Sequence, residues 1–227
     1  MREAKVSEIF FSLQGEGLYL GAAQVFVRFY GCNLSCSFCD TPLTSYKTFT
    51  KDSLMSKILA HDQPYHSVAL TGGEPLCQAD FLKEFIASYR LFYKKPVYLE
   101  TNGTLHEELL KVIDFLDIIA MDFKLPSSAG TGPLWEEHGK FLKIAKRKQV
   151  FVKAVITSST SADDIMRAKE VISQESPDIP LILQPVTPVR KEKKAEEALL
   201  RKFQGIAQKH LKRVEVMPQE HKRLGIK

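Results

Sequence analysis

The sequence predicts an α/β fold in which strand and helix units repeat around a parallel sheet. β-rich runs recur along the chain with helical patterns between most of them, the signature of βα repeats. Nearly every such run leads into a polar segment marked by Gly or Pro: RFYGC, LTGGEP, LETNGT, MDFKLPSS, VITSST, LQPVTP and VMPQEH. In a parallel barrel those carboxyl ends converge on one rim, where active sites are built. No linker separates two compositions, so residues 1–227 read as a single domain.

Taken in order, residues 24–29 (QVFVRF) are the first strand, and a helical pattern at 53–60 leads to the strand 67–71. A helix at 81–89 precedes the strand 96–100, and a helix at 105–115 precedes the strand 117–122. Thr104 and Glu107 have the spacing of a capping box at the start of the second of these helices. SSAGTGPLW, residues 127–135, reads as a mobile loop before the helix 135–146, with Trp135 as an anchor. The strand 150–157, helix 162–173, strand 181–185, helix 194–210 and strand 214–217 complete the series.

Of the 227 residues, 44% are hydrophobic and 26% charged, the balance of an ordinary globular protein. No run approaches the roughly 18 apolar residues of a membrane helix, and MREAKVSE lacks a signal peptide's apolar core. A cytoplasmic location and no membrane partner are expected. The net charge of +5 is mild. Much of it lies in residues 190–213, where Glu192, Glu196 and Glu197 are interleaved and Phe203 is the one Phe, Tyr or Trp, so a solvated helix face is expected rather than a nucleic-acid surface.

YGCNLSCSFCDT, residues 30–41, holds three of the four cysteines: Cys32, Cys36 and Cys39. Such clustering does not resemble the paired framework of a small secreted domain, and in a reducing compartment it points to a metal. Structural zinc takes four ligands, usually as two paired knuckles, and Cys77 stands alone after a long gap. Cys77 reads as a packed small hydrophobe. Three thiolates suit a 4Fe-4S cluster whose fourth iron stays open. The C-x3-C-x2-C spacing after a strand, with Gly31 before it, Phe38 inside it and TGGEP downstream, resembles the radical S-adenosylmethionine superfamily. There the open iron chelates the amino and carboxylate groups of S-adenosylmethionine. In TGGEP the two glycines permit close backbone approach to a ligand, and Glu74 offers polar contacts around an ammonium.

LQGEG, R-x-x-G-C, C-D-T, TGGEP, ETNGT, QPV and MPQEHK, in this order, resemble the 7-carboxy-7-deazaguanine synthases over nearly the whole length. The resemblance implies a partial, open parallel (β/α)6-type barrel that forms homodimers. It implies a lyase that converts 6-carboxy-5,6,7,8-tetrahydropterin into 7-carboxy-7-deazaguanine with loss of ammonia, using a 4Fe-4S cluster, S-adenosylmethionine and Mg2+. An electron donor such as flavodoxin or ferredoxin is implied as partner. By position, Leu13, Gln14, Gly15, Glu16, Arg28, Thr71 and His221 would meet the pterin substrate. Phe38, Asp40, Gly73 and Glu74 would contact S-adenosylmethionine, with Asp122, Phe123 and Lys124 and then Gln184, Pro185, Val186 and Thr187 in the same role. DFK departs from the SPK of some family members. Thr41 would ligate Mg2+, which needs few protein oxygens because it keeps waters and borrows substrate oxygens.

Taken alone, several of these residues have plainer readings. Thr41 is equally a turn or cap residue before Pro42, Arg28 a buried ion-pair member, Glu16 a turn stabiliser and His221 part of a frayed end. Two other functions compete. A glycyl-radical activating enzyme acting on a protein partner would share the cysteines but has no use for LQGEG or the threonine of CDT. A non-catalytic module would hold zinc instead.

Overall fold

The computed structural model describes residues 2–41, 44–188 and 193–225. Its strands are β1 (Glu3–Leu13), β2 (Ala23–Phe29), β3 (Lys47–Thr50), β4 (Ser67–Gly72), β5 (Val97–Thr101), β6 (Ile118–Phe123), β7 (Gln149–Ile156), β8 (Leu181–Pro185) and β9 (Val214–Val216). Its helices are α1 (Lys51–Leu59), α2 (Ala79–Phe92), α3 (His106–Val112), α4 (Pro126–Ala129), α5 (Trp135–Ala145), α6 (Ala162–Glu175), α7 (Glu197–Ala207) and α8 (Glu220–Leu224). One sheet runs in the order β3-β1-β2-β4-β5-β6-β7-β8-β9. From β2 through β9 neighbouring strands are parallel, each crossover carrying a helix, whereas β1 is antiparallel to β2 and β3. The edges β3 and β9 do not pair, so the barrel is open, as the predicted (β/α)6 class requires.

Strand alternation divides the side chains into two sets. Outward residues such as Val25, Val27, Leu70, Leu99, Ile119, Val152 and Leu183 pack against the helices in the larger core. Inward residues form two tiers. The lower tier is apolar, with Phe26, Ala69, Tyr98, Ile118, Ala120, Phe151 and Ile182 in one cluster that closes the barrel floor. Two residues further along each strand the inward positions turn polar: Arg28, Thr71, Glu100, Asp122, Lys153 and Gln184 all line one cavity.

Several local expectations need correction. β1 and β3 were not expected; EAKVSEIFFSL alternates weakly because β1 pairs on both edges and most of its residues are half-buried. Thr104 and Glu107 form no capping box. The Thr104 hydroxyl instead donates to Asn102 Oδ1 at 2.7 Å, and α3 starts beyond Leu105 without a side-chain cap. Side-chain caps occur at Thr50, accepting from the Ser53 amide, and at Ser161, accepting from the Asp164 amide. The expected mobile loop begins as α4, fastened where Asp164 accepts from the Ser127 amide at 2.8 Å and where the Ala129 carbonyl accepts from the Ser37 amide at 2.8 Å. The last long helix is shorter than 194–210 because Lys194 forms a β-bridge with Thr157. Arg190, Lys191 and Glu192 of the basic stretch, and Ile226 and Lys227 of the tail, lie outside the described residues.

Behind the polar tier two buried groups titrate in opposite senses. His138 of α5 stacks on Phe123 at 4.4 Å, and its Nε2 faces the Asn102 carbonyl at 3.1 Å. Burial holds the imidazole down to about 4, helped by nearby Lys124 and opposed by the Asn102 contact. Glu74 is fully buried, and burial pushes its carboxyl up to about 7 although the Asn102 and Leu76 amides and the Thr101 hydroxyl donate to it. His138 favours the fold fully above its unfolded pKa of 6.5 and loses that contribution as pH falls towards 4. Glu74 does the reverse: its contribution is complete below 4.5 and is lost as pH rises towards 7. The two slopes oppose each other in the wild type. His138→Gln removes one of them, so urea unfolding of the metal-free protein should show the variant gaining on the wild type by about 3 kcal/mol on acidification across that window. Parallel curves for the two proteins would refute this assignment.

Candidate active site

The polar tier opens into a cavity of about 550 Å3 at the carboxyl end of the sheet. Cys32, Cys36 and Cys39 line it together with Leu13, Gln14, Gly15, Glu16, Arg28, Phe38, Asp40, Thr41, Thr71, Gly73, Asp122, Lys124, Gln184, Val186, Thr187 and His221. Three predicted residues do not line it. Glu74 lies beneath the rim with Oε1 accepting from the Leu76 amide and Thr101 hydroxyl and Oε2 from the Asn102 amide. Phe123 and Pro185 follow Asp122 and Gln184 on their strands, so the two-residue period turns them to the helix side. A strand cannot present three consecutive side chains to one ligand.

The cysteine loop leaves β2 and is held by backbone contacts. The Gly73 amide donates to the Phe29 carbonyl at 3.2 Å and the Glu74 amide to the Gly31 carbonyl at 2.8 Å, which extends the contact of β2 with β4 past the strand ends. At Gly73 a Cβ would stand 2.0 Å from the Gly31 oxygen and 3.0 Å from the Cys32 Cβ, so only glycine fits. Ser37 ties the loop to α4 through its hydroxyl and the Ser128 carbonyl at 3.0 Å, and Asn102 donates to Asn33 Oδ1 at 2.8 Å. Leu34 N and Asn102 Nδ2 approach the Cys32 sulfur at 3.4 Å and 3.9 Å.

This loop fits an iron–sulfur cluster better than a single ion. Among the described residues no three His, Cys, Asp or Glu side chains converge as one metal ion would require. A cubane gives each cysteine its own iron and so asks only that the thiols face one space, which they do. Cys77 lies outside this cavity, in a surface hollow with Arg2 and Glu108, and supplies no fourth zinc ligand. Burial pushes the Cys36 thiol up to about 11, with Lys124 pulling the other way and Asp122, Cys32 and Cys39 adding to the rise. Metal loading therefore releases a proton from the Cys36 thiol.

The remaining walls are a connected polar network. Gln14 donates to Gln24 at 3.0 Å and to Glu100 at 2.9 Å, and Glu100 also accepts from Thr71 at 2.6 Å. Lys124 donates to Asp122 at 2.7 Å and sits over the Phe38 ring at 5.3 Å. Glu16 accepts from Lys153 at 2.6 Å and from Gln219 at 2.7 Å. Burial would raise the Glu16 carboxyl, but the Lys153 ammonium and the donors on both oxygens outweigh it and hold the group at about 2. Arg28 lies 3.5 Å from Glu8 and over Phe10 at 5.6 Å. Asp122 Oδ1 and Gln184 Oε1 are buried polar atoms with no hydrogen-bond partner among the described residues, on side chains that line the cavity, whereas Arg28 Nε faces the Glu8 carboxylate. Polar groups left so are the signature of a wall that a ligand completes.

The C-terminal segment closes the rim. The Glu220 amide donates to the Gly15 carbonyl at 3.0 Å, Lys222 pairs with Asp40, and the His221 ring fills the space a Cβ on Gly15 would need. Far from fraying at His221, the chain forms α8 there. Sequence reading missed Lys153, Glu100, Asn102, Gln219 and Lys222. The signal for Lys153 was present: it is the one charge inside the apolar run VFVKAVI.

Comparison with known proteins agrees with this geometry. Residues 26–158 match the family model of the Radical SAM superfamily. The 7-carboxy-7-deazaguanine synthase of Geobacter sulfurreducens is 36% identical, covering 98% of this chain and 97% of its own length. That of Archaeoglobus fulgidus is 37% identical, covering 99% of each. Among solved structures, QueE from Escherichia coli superposes with a TM-score of 0.61 at 19% identity, covering 96% of this chain and 95% of its own. A radical SAM methyltransferase from Sphaerobacter thermophilus superposes with a TM-score of 0.64 at 14% identity, covering 96% of this chain and 76% of its own. At those identities the two structures speak for the fold.

Replacing Gly73 by Ala drives a methyl into the Gly31 carbonyl, an overpacking that costs roughly 1–3 kcal/mol or displaces the loop. After anaerobic reconstitution, Gly73→Ala should keep its circular dichroism and lose most of its bound iron. Wild-type iron content in this variant would show that the loop does not need that contact.

Proposed function

The chain belongs to the 7-carboxy-7-deazaguanine synthase family of the radical SAM superfamily, and from that membership we infer that it converts 6-carboxy-5,6,7,8-tetrahydropterin into 7-carboxy-7-deazaguanine with loss of ammonia. The observation that carries this reading is the meeting, in one cavity, of three cysteine thiols with a polar tier suited to a small carboxylated heterocycle. A glycyl-radical activating enzyme is not favoured, because the full-length relatives are synthases.

Cys32, Cys36 and Cys39 would hold the 4Fe-4S cluster, which with S-adenosylmethionine would supply the radical chemistry that abstracts hydrogen from the substrate. The chain binds, orients and excludes water. Phe38, Asp40, Gly73, Asp122, Lys124, Gln184, Val186 and Thr187 form the cofactor side of the cavity, and Leu13, Gln14, Gly15, Glu16, Arg28, Thr71 and His221 the substrate side. Arg28 is the partner for the substrate carboxylate: its Nε faces Glu8, the residue lines the cavity, and a guanidinium suits a planar carboxylate. Glu16, ionised and fixed through both oxygens, accepts from the N–H edge of the pterin. Thr41, on the cavity wall, would offer its hydroxyl to Mg2+, an ion that needs few protein oxygens. We read residues 1–227 as a single cytoplasmic domain that acts as a homodimer with a low-potential donor such as flavodoxin or ferredoxin.

The test is anaerobic reconstitution with dithionite, S-adenosylmethionine, Mg2+ and 6-carboxytetrahydropterin, with product followed by mass spectrometry. Formation of 5′-deoxyadenosine without deazaguanine would leave the radical chemistry and overturn the substrate. Arg28→Ala removes a charge-assisted contact of about 1.5–3 kcal/mol, so KM for the pterin should rise roughly 10- to 100-fold. Thr41→Ala should raise the Mg2+ concentration for half-maximal rate about tenfold or abolish the Mg2+ response, with Thr41→Ser retaining it. An unchanged Mg2+ titration in the alanine variant would remove Thr41 from the metal.

A further inference from the structure

Lys153 is 6% exposed and lies in the polar tier between two apolar inward neighbours on β7, Phe151 and Val155. Its ammonium donates to Glu16 Oε2 at 2.6 Å while Gln219 donates to Oε1 at 2.7 Å. Each carboxylate oxygen is thus pinned by one donor, one from the sheet and one from the C-terminal segment. Glu16 still lines the cavity, so its remaining acceptor capacity faces a ligand. Stability does not account for the pair, because a buried ion pair is commonly no better than well-packed apolar residues. Carboxylates crowd the same tier, with Glu100 and Asp122 acting on Lys153 as well as Glu16.

We propose that Lys153 is a positioning residue for substrate specificity: together with Gln219 it fixes and aims the Glu16 carboxylate, so that the site selects a heterocycle with adjacent N–H donors. This rests on the reading of Glu16 as a substrate contact. The groups facing the pair are Glu100 of β5, Asp122 of β6, Lys124, Tyr98 and His221 of α8. Without the Lys153 ammonium only the Gln219 hydrogen bond and His221 oppose burial at Glu16, so the carboxyl is held less far down, and once protonated it puts a proton where the substrate's N–H must donate.

The test is kcat and KM for 6-carboxytetrahydropterin from pH 6 to 9 in the reconstituted holoenzyme of wild type, Lys153→Met, Lys153→Arg, Glu16→Gln and the Lys153→Met/Glu16→Gln double variant. In Lys153→Met, KM should rise at low pH and recover as pH increases, by up to about tenfold per unit below the displaced pKa, with kcat changed much less. Lys153→Arg should restore the wild-type profile, and the double variant should be no worse than Glu16→Gln alone. A Lys153→Met profile with wild-type KM at every pH would overturn the role, as would a pH-independent fall in kcat accompanied by loss of cluster absorbance. If Glu16→Gln itself has wild-type KM, the substrate reading of Glu16 fails. If Glu16→Gln raises KM and Lys153→Met does not, that reading stands and the Lys153 role alone fails.

Discussion

The two-tier interior of the open barrel is the constraint on which the rest of the structure depends. Parallel strands buried on both faces ordinarily read as continuous apolar runs. Here the inward positions obey that rule only in the lower tier, where Phe26, Tyr98, Phe151 and their neighbours pack together. One step higher, Arg28, Thr71, Glu100, Asp122, Lys153 and Gln184 face the cavity. Burying such groups is costly unless each finds a partner. The network meets most of that need internally, through Gln14–Glu100–Thr71, Asp122–Lys124 and Glu16–Lys153. Among the described residues it leaves Asp122 Oδ1 and Gln184 Oε1 without a hydrogen bond, on side chains that line the cavity.

The cysteine loop depends on this same geometry at its edge. Because β2 and β4 are adjacent and parallel, their exits run side by side, and the Gly72-Gly73 turn lies against Phe29 and Gly31. The two glycines therefore serve protein backbone as much as ligand. Glu74 then joins the Asn102 amide, and Asn102 reaches Asn33 and the Cys32 sulfur. TGGEP, ETNGT and the cysteine loop, separated in sequence, are one hydrogen-bonded unit.

The regular part of this architecture was legible in the sequence because two simple periods carry it. β2 and the strands from β4 onward announce themselves as apolar, β-rich runs, and their polar exits announce the rim. β1 was not legible, since its half-buried residues give neither clean alternation nor an apolar run. The boundary between tiers was also hidden. It depends on the register of one strand against the next, for example Thr71 beside Arg28 and Lys153 beside Asp122. Motifs read as strings treated Asp122, Phe123 and Lys124 as equivalent, whereas the pleat sends Phe123 to His138 and its neighbours to the cavity.

An open barrel also leaves a seam, since the sheet ends at β9 on one side and at β3, beyond β1, on the other. Backbone pairing cannot close it. The C-terminal segment after β9 does so at the rim instead: Glu220 bonds the Gly15 carbonyl, Gln219 holds Glu16, and Lys222 reaches Asp40 beside Cys39. Each contact joins the last strand to a loop that follows β1 or β2. A charged and amide-rich latch forms the wall of the cavity where strands are missing. Residues nearly the whole chain apart, Glu16 and Gln219, therefore become neighbours in one site, and the Gly15–Glu16 loop owes its position to both ends of the molecule.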